Sequence, residues 1–506
     1  MSEHTTVNPV FFASKDMQLE YCASVVRLGP VTPVPDSDHL GVTEVEGQPI
    51  VVDRFSTKEG DVMVYCMNET MLNLKFLAVN NQFDISERAQ NANAKEVCAL
   101  YDDDGSDEAK AKAKAMCGFF NKHGRVKMVK LRGQYSMGFL TSLESIVKWH
   151  PEITPDVLDD AAARAPFNFD TVCGDLFLKV YMPPAPEVRH HGGSGPVNGK
   201  PRFKQYIDGT VPFHYHTDPL NKSMADIYPD QDIVVTPKLH GTSAIYGHVQ
   251  INKKARKTII SRICSYRLRT GRWQTFSEKM LYKRHVAKKG VGHGYIACSR
   301  KIVLNAHEGV HPRGEYGWIL DNLIKAVKLP EGMIVYGEIT GYKPGATSMI
   351  QKGYAYGSKS GRCTFWPYRI VTPEGEWTMD RVVKKAAEWK KALPDDRKDL
   401  VGVLPVLYKG KAGDMYPEWK PAAGENALLE WRDHFLHAVM NDKDRLGMEL
   451  KEPLNGGKEY REGVVFRVGD KKIAYKQKCL NFSATETKRV DKGEIDDEML
   501  EGYAEA

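Results

Sequence analysis

The chain has 506 residues, of which 42% are hydrophobic and 27% are charged, and its formal net charge is +6. This length is enough for two or three domains that each bury a core. No apolar run of about 18 residues and no basic start followed by an apolar stretch occurs, so neither a membrane span nor a signal peptide is expected. The nine cysteines are scattered without a C-x-x-C pair, which indicates reduced thiols, no structural zinc and a cytoplasmic protein.

The first half of the chain has a β-rich pattern. Residues 1–20 are predicted as a weakly ordered lead. Residues 21–182 contain short apolar alternations broken by Gly, Pro and Asp, which indicate a β-rich domain. Within it, Asp107–Met116 is rich in Ala, Lys and Glu and predicts a helix. Residues 183–201 are rich in Pro and Gly and are predicted as a linker.

The second half is predicted as one larger domain, residues 202–482, followed by an acidic tail, residues 483–506. Helical periodicity predicts helices over Asp380–Lys391 and Asn426–Met440. Lys253–Lys289 contains thirteen Lys or Arg residues, a single acid and interleaved aromatic residues. This composition suits the backbone and bases of a nucleic acid, although a solvated basic surface is the simpler alternative.

Charged residues in this second half stand in short segments with a fixed order. The segments are Thr236–Ser243 with Lys238, Cys298–Arg300, Tyr336–Gly341 with Glu338, Glu462–Phe466, and Lys476–Lys478. Most adjoin an apolar run typical of a strand. Lys476 and Lys478 are two residues apart, so in a strand they share one face and can reach one phosphate. Any one of these residues alone would be an ordinary surface or strand-edge residue, but the ordered set is hard to obtain by chance.

The set fits transfer of a nucleoside monophosphate to a lysine. Lys238 would attack phosphorus as a neutral amine, so its pKa must be lowered by desolvation or by nearby positive charge. Lys476, Lys478 and a divalent metal would supply that charge and neutralise the phosphate oxygens. Glu462 is the best hard-oxygen ligand for the metal, and Glu338 could hold a ribose hydroxyl. The next glycine after the nucleophile, Gly241, lets the backbone approach a phosphate closely.

These segments resemble motifs I, Ia, III, IV and V of the covalent nucleotidyltransferase superfamily, which contains ATP-dependent DNA ligases, RNA ligases and mRNA capping enzymes. The K-L-H-G-T-S form around Lys238 is most similar to RNA ligases. Arg362–Ile370 resembles motif IIIa, whose aromatic residue stacks on adenine; the resemblance places that role on Tyr368, with Phe365 as second choice. It also implies that Arg300 contacts the ribose or the transferred phosphate.

Three positions leave questions open. His240 could contact phosphate or metal, or only shape the loop. Relatives often have glutamate before the lysine, where this chain has Pro237, and proline cannot donate a backbone hydrogen bond to a purine. Relatives also often have aspartate after the motif IIIa aromatic, where this chain has Arg369. The two departures affect how nucleotide or metal is handled, not the reaction class.

The leading segments Ala23–Val45, Gly60–Tyr65 and Leu131–Gly138 resemble the first domain of the Deinococcus-type RNA ligase family, which seals nicks with RNA at the 3′ side. The resemblance implies an α+β protein: a β-rich, OB-like nucleic-acid-binding domain precedes a nucleotidyltransferase domain of antiparallel sheets with helices, unrelated to ATP-grasp ligases. Only 28 residues follow Lys478, too few for a trailing barrel, so the accessory domain is expected in front.

The function expected from this resemblance is ATP-dependent joining of 3′-OH and 5′-phosphate ends through lysyl-AMP and an adenylylated strand. The cofactors would be ATP and Mg²⁺ or Mn²⁺, and the partner would be RNA or an RNA-containing duplex bound by a monomer. Two other classes stay open. A capping-type guanylyltransferase would form lysyl-GMP, and a degenerate transferase domain would bind RNA without catalysis.

Overall fold

The computed structural model describes residues 10–183, 203–213, 217–253, 290–419, 424, 426–469 and 474–494. The predicted linker beyond residue 183 and nearly all of the basic stretch, from residue 254 onward, lie outside these residues. In the part of the chain that is described, no helix has the length and apolarity needed to cross a membrane.

The leading domain, residues 10–183, is β-rich as predicted. Its strands are β1 Phe11–Phe12, β2 Ala23–Arg27, β3 Thr32–Pro33, β4 Leu40–Val45, β5 Gln48–Asp53, β6 Val62–Cys66, β7 Thr70–Leu72, β8 Met128–Leu131, β9 Gln134–Met137, β10 Phe139–Ser142, β11 Phe167–Phe169, β12 Thr171–Val172, β13 Asp175–Leu176 and β14 Leu178–Val180. Its helices are α1 Leu74–Val79, α2 Ala94–Cys98, α3 Asp107–Ala115, α4 Leu143–Trp149 and α5 Pro155–Arg164.

The strands of the leading domain pair antiparallel in small sheets, of which the largest has the order β10-β6-β2-β11. Strand β4 alternates fully buried residues with partly buried or exposed ones along its length, the pattern of a strand with one face on a core. Helix α3 is the helix predicted at Asp107–Met116; the Ser106 hydroxyl caps its first turn by accepting from the Ala109 N–H at 3.2 Å. The predicted OB-like barrel stays a prediction.

The second domain, from residue 203 onward, is the predicted catalytic domain and contains two larger sheets and the helices around them. Its strands are β15 Asp218–Pro219, β16 Asp232–Lys238, β17 Thr242–Lys253, β18 Gly290–Cys298, β19 Ile334–Gly341, β20 Cys363–Thr372, β21 Gly375–Glu376, β22 Tyr408–Lys411, β23 Gly463–Val468 and β24 Ala474–Lys478. Its helices are α6 Gly314–Ile319, α7 Lys325–Val327, α8 Met379–Ala392, α9 Ala412–Met415, α10 Ala427–Asn441 and α11 Leu480–Asp491. Short 3₁₀ segments are Leu19–Tyr21, Ile85–Gln90, Leu220–Lys222, Met224–Asp226, Asp395–Leu400 and Pro453–Asn455, and π-helical segments are Ala99–Asp104 and Leu320–Ile324.

The first catalytic sheet has the order β15-β24-β23-β16-β22, and the second has the order β18-β17-β19-β20-β21. All neighbours pair antiparallel except β15 and β24, which are parallel. The main core contains inward residues of both sheets, such as Val235 and Phe466 from the first and Ala244 and Val335 from the second. The residues between β16 and β17 therefore connect the two sheets, and the ends of both sheets face one site.

The two helices predicted in this domain are confirmed as α8 and α10, and their apolar faces belong to the same core. The predicted acidic tail, residues 483–506, begins too early. Residues 480–491 form helix α11, in which Phe482, Thr487 and Val490 are buried. The helix is ordered because its apolar side has a surface to cover, and because the Glu449 carboxylate accepts from the Asn481 N–H at 2.8 Å near its first turn.

The leading domain packs against helix α11. The Tyr135 hydroxyl donates to Asn481 at 2.6 Å, and the Thr487 hydroxyl donates to Glu69 at 3.0 Å. At the end of the helix, Arg125 forms an ion pair with Asp491 at 2.9 Å. The helix that follows β24 is therefore the surface on which the leading domain is held beside the catalytic sheets.

Candidate active site

Lys238 lies at the end of β16, where the strand meets the residues that connect the two sheets. It is opposite Gly463 in the antiparallel pairing of β16 with β23, and its ammonium group donates to Oε1 of Glu462. Glu462 is 3% exposed, whereas 21% of the Lys238 side chain is exposed. The lysine therefore reaches solvent while the carboxylate beside it is held inside the protein.

The strand that carries Glu462 is anchored by the residue before it. Arg461 pairs with the fully buried Glu452 through two nitrogen–oxygen contacts, of 2.7 and 3.3 Å. A bidentate pair of this kind fixes direction as well as distance. The sequence alone gave Arg461 no role; its position shows that it holds the start of β23, and with it Glu462, in place.

Lys476 and Lys478 lie on β24, which pairs with β23 so that Lys478 is opposite Gly463 and Lys476 is opposite Val465. Both side chains extend to the same side of the strand, as their spacing predicts, and both reach the carboxylate of Glu20. Burial lowers the pKa of Lys476, and the Glu20 carboxylate opposes this only in part. Burial acts on Lys478 too, but Glu486 and Glu20 outweigh it and raise the pKa of Lys478 well above its ordinary value.

Gly241 is required by packing inside the protein. A Cβ atom at this position would lie 2.4 Å from the carbonyl oxygen of Ile339 and 2.8 Å from Cγ of Glu338. From the sequence, Gly241 was expected to let the backbone approach a phosphate closely. The structure gives a reason for glycine at this position that involves only the protein. The loop after Lys238 can pass this close to β19 only without a side chain, and the passage places Gly241 against Glu338.

His240 has a packed ring and a fixed backbone. The ring contacts Tyr354 and Phe482 edge-on, with centroids 4.9 and 5.0 Å away, and the His240 N–H donates to the Tyr356 hydroxyl at 2.9 Å. Its Nδ1 lies 3.9 Å from Oε2 of Glu462. His240 thus shapes the loop and also borders the site, so the two interpretations of this residue are compatible.

The second sheet contributes the residues expected around the nucleoside. Glu338 pairs with Ser243 across β19 and β17, and the Tyr368 hydroxyl lies 3.4 Å from the Ser243 hydroxyl. Burial raises the pKa of Tyr368, and the Glu338 carboxylate adds to the effect, while Arg300 opposes it. Glu338, Arg300 and Tyr368 therefore lie within electrostatic reach of one another.

The two aromatic candidates differ in burial: Tyr368 is partly buried, whereas Phe365 is fully buried. Phe365 is 0% exposed and packs edge-on against Tyr246 at 5.3 Å in the core. A ring closed in on all sides cannot stack on a base unless the core opens. The burial of Phe365 in β20 therefore disfavours the second choice, and the assignment of the stacking residue stays a prediction.

The two departures from the superfamily pattern have local partners. Pro237 pairs with Val464 inside the ladder between β16 and β23. Arg369 forms an ion pair with Glu376 at 2.9 Å, and its guanidinium lies over the Tyr336 ring at 4.5 Å. The charge of Arg369 is thus satisfied at the β20–β21 end of the second sheet, next to Tyr336 on β19.

We call Lys238, Lys476, Lys478 and Glu462 the reactive cluster, and the carboxylates of Glu20 and Glu486 border it. The ordered segments converge on it from β16, β23 and β24, and the second sheet brings Glu338, Arg300 and Tyr368 alongside. Sequence reasoning missed Glu20, Glu486 and the hydroxyl of Tyr356. Glu20 stands in an unremarkable stretch of a different domain, so no local pattern could have identified it.

A divalent cation fits this cluster. Oε2 of Glu462 is buried and accepts no hydrogen bond from any described residue. A buried carboxylate oxygen without a partner costs free energy, and oxygen is the ligand type that Mg²⁺ and Mn²⁺ prefer. Glu462 can therefore present one oxygen to a metal while its other oxygen accepts from Lys238.

A protein-family model described as RNA ligase matches residues 231–483, which is half of the chain. The match includes β16, β23 and β24 with Lys238, Glu462, Lys476 and Lys478. No curated protein matches the chain.

Solved structures of the Naegleria gruberi RNA ligase resemble the chain over almost its whole length. A mutant of that enzyme with AMP and Mn has a TM-score of 0.46 and 14% identity, covering 92% of this chain and 98% of the other. A second mutant, with ATP and Mn, has the same four values. The enzyme with PPi has a TM-score of 0.43 and 14% identity, covering 93% of this chain and 98% of the other.

Proposed function

Because this chain belongs to the RNA ligase family and is an enzyme of that family, we propose that it joins the 3′-OH and 5′-phosphate ends of RNA in three steps. Lys238 takes AMP from ATP and pyrophosphate leaves. The AMP passes from Lys238 to the 5′-phosphate of a strand. The 3′-OH then attacks that phosphate, AMP leaves, and the strand is closed.

One observation carries the proposal: the described segments around Lys238, Glu462, Lys476 and Lys478, far apart in the chain, meet at the reactive cluster. A lysine with solvent access, Lys238, lies against a buried carboxylate and within electrostatic reach of Lys476, which stands with Lys478 on β24, two strands away in the same sheet. This is what an in-line displacement at phosphorus needs, because positioning and charge neutralisation supply most of the catalysis.

In the first step, Lys238 must lose a proton before its nitrogen forms the N–P bond and the bond from the α-phosphorus to the leaving oxygen breaks. Glu462 is the carboxylate in hydrogen-bond contact with that ammonium. Nearby positive charge on Lys476 and Lys478 favours the neutral amine and stabilises the negative oxygens of the phosphate. A divalent metal, held through Glu462, would add Lewis-acid stabilisation of those oxygens.

The nucleoside would lie against the second sheet. Tyr368 would stack on the base, Glu338 would accept from a ribose hydroxyl, and Arg300 would contact the ribose or the transferred phosphate. His240 and Gly241 would line the phosphate side of this pocket. ATP is proposed over GTP because the motif around Lys238 is most similar to that of RNA ligases.

The substrate we propose is a nicked duplex with RNA at the 3′ side, as in the Deinococcus-type family. Sealing a nick requires contacts on both sides of the break, and the leading domain is held on helix α11 next to β24. An OB-like domain in that place would offer a second nucleic-acid surface. The described cysteines are thiols and none forms a disulfide, in keeping with a cytoplasmic enzyme.

The test is incubation with labelled ATP or labelled GTP and Mg²⁺, followed by mapping of the labelled peptide. We expect AMP on Lys238 and no GMP. A gel assay on nicked RNA, nicked DNA and single-stranded RNA then identifies the substrate. Label from GTP alone would favour the capping-type enzyme, and no label from either nucleotide would favour an RNA-binding protein without catalysis.

A further inference from the structure

The two phosphate-binding lysines are already paired with an anion from another part of the chain. Lys476 donates to Oε2 of Glu20, and Lys478 Nζ lies 3.9 Å from Oε1 of the same carboxylate. Glu20 belongs to the leading domain, whereas both lysines belong to the catalytic domain. One carboxylate thus bridges the two ammonium groups that the proposed reaction assigns to the phosphate of ATP.

Glu20 is brought there by a short 3₁₀ turn, Leu19–Tyr21, directly before β2. The next residue, Cys22, is fully buried in a cluster of the leading domain that also contains Met128 and Met137, and Leu480 of helix α11 packs on that cluster. The turn is therefore fixed by a well-packed neighbour on one side. From this turn, the side chain of Glu20 extends over β24.

The charges around the bridge are nearly balanced. Three ammonium groups, of Lys238, Lys476 and Lys478, lie close enough to influence one another. The carboxylates in contact with them are Glu462, Glu20 and Glu486. In the proposed function Glu462 holds the metal, and of the three lysines Glu486 contacts Lys478 in the part of the chain that is described. Glu20 is therefore the anion that shares both Lys476 and Lys478.

A triphosphate and Glu20 need the same donors. A carboxylate offers two oxygens and one charge, whereas ATP offers several charged oxygens and a metal ion with them. Two anions on the same pair of lysines would repel each other at a site where water is partly excluded. Binding of the nucleotide is therefore expected to require that Glu20 leaves.

We propose that Glu20 is an internal competitor for the triphosphate of ATP, so that nucleotide binding and the contact of the Leu19–Tyr21 turn with β24 exclude each other. This inference rests on the proposed function. Its consequence is a link between the two domains: ATP releases the turn of the leading domain, and the turn returns when the phosphates have left. The apparent affinity for ATP is then reduced by the fraction of molecules in which Glu20 occupies the lysines.

The test uses the full chain with Glu20→Gln, which keeps the size of the side chain and removes its charge. Glu59→Gln is the matched control, because Glu59 is an exposed acid of the same domain that contacts none of the three lysines in the described structure. We expect the KM for ATP in lysyl-AMP formation to fall about tenfold in Glu20→Gln, with the maximal rate changed less than about twofold, and no change in the control.

A second measurement does not depend on catalysis. Binding of pyrophosphate with Mg²⁺, followed by calorimetry, should be tighter in Glu20→Gln than in the wild type and in the control. An unchanged or higher KM, or a lower maximal rate, would overturn the inference, since Glu20 would then be a bystander or would assist the nucleotide. Failure of the wild type to label Lys238 would contradict the proposed function instead, and the pyrophosphate result would still decide the role of Glu20.

Discussion

The leading domain meets the lysines of the catalytic domain at two places that use the same chemical groups in different surroundings. At the first, Lys222 is 2.7 Å from Oε1 of Glu46, and it also donates to Asn168 at 3.1 Å and to Ser24. At the second, Lys476 donates to Glu20. The Lys222 side chain is 1% exposed, whereas the side chains of Lys476 and Glu20 are 11% and 25% exposed.

This difference separates a structural contact from a site that can take a ligand. Lys222 has its protons satisfied by three side chains in a closed pocket, so no incoming group can replace them. Lys476 has one carboxylate partner, Glu20, at the edge of a more open cluster. A buried lysine with several hydrogen-bond partners indicates a structural contact, and a partly exposed pair with a single carboxylate indicates a site that can bind a ligand.

The largest effect is expected from substitution of Lys238, the proposed nucleophile. Lys238→Ala should lower lysyl-AMP formation by at least about 1000-fold, because the attacking atom is gone. Lys238→Arg should be equally inactive although it keeps the charge, since arginine stays protonated and cannot attack. Label transfer from ATP measures both variants, and circular dichroism checks the fold. Labelling of either variant at the wild-type rate would remove Lys238 from the mechanism.

Removal of the metal comes next. Chelation of divalent ions should reduce adenylylation by about 100-fold or more, because charge on the phosphate oxygens is then neutralised by lysines alone. Glu462→Gln should need a higher Mg²⁺ concentration for half-maximal rate than the wild type. A Mg²⁺ titration of the initial rate measures this, and an unchanged titration curve in Glu462→Gln would place the metal elsewhere.

Truncation of one phosphate-binding lysine should have a smaller effect. Lys476→Ala should reduce kcat/KM for adenylylation by about 10- to 100-fold, the usual range for loss of one charged contact to a transition state. Lys222→Ala, at the closed contact, serves as the comparison and should leave the kcat/KM of the folded fraction near the wild-type value. Equal losses in both variants would mean that the two lysine sites do not differ in function.

Substitutions at the closed contact between Lys222 and Glu46 should change the stability of the protein rather than the rate of adenylylation. Lys222→Met should lower the free energy of unfolding by about 3 kcal/mol or more, because Glu46 is left as a buried charge without a partner. The double variant Lys222→Met with Glu46→Leu should recover much of that loss, since both charges are removed together. Urea unfolding monitored by fluorescence measures both. A double variant no more stable than the single one would show that the pair itself stabilises the contact.

The smallest effect on adenylylation is expected from the basic stretch, which lies outside the described residues. Changing Arg267, Arg269 and Arg272 to glutamate should weaken RNA binding. The slope of the logarithm of the binding constant against the logarithm of the salt concentration should become shallower by the amount expected for about three lost phosphate contacts. Lysyl-AMP formation should stay within about twofold of the wild type, because that step needs no RNA. Fluorescence anisotropy at several salt concentrations measures the slope, and an unchanged slope would return the stretch to an ordinary solvated surface.

Residues whose role depends on local pattern were predictable from the sequence. The spacing of Lys476 and Lys478 placed both on one face of a strand, and helices α8 and α10 followed from apolar periodicity. The roles of residues that depend on which face of a strand is buried were harder to predict from the sequence. Tyr368 and Phe365 stand three apart in one apolar strand, and only the packing of β20 shows that Phe365 is closed inside the core.

The sequence by itself determined the family resemblance, the choice of Lys238 as the proposed nucleophile and the order of the charged segments, because each depends on residues near one another in the chain. The tertiary structure alone decided that Arg461 anchors β23, that residues 480–491 form a packed helix, and that Glu20 contacts both Lys476 and Lys478. Glu20 and Lys476 are 456 residues apart. A contact over that distance leaves no periodic trace in the sequence, since it exists only after both domains have folded and docked.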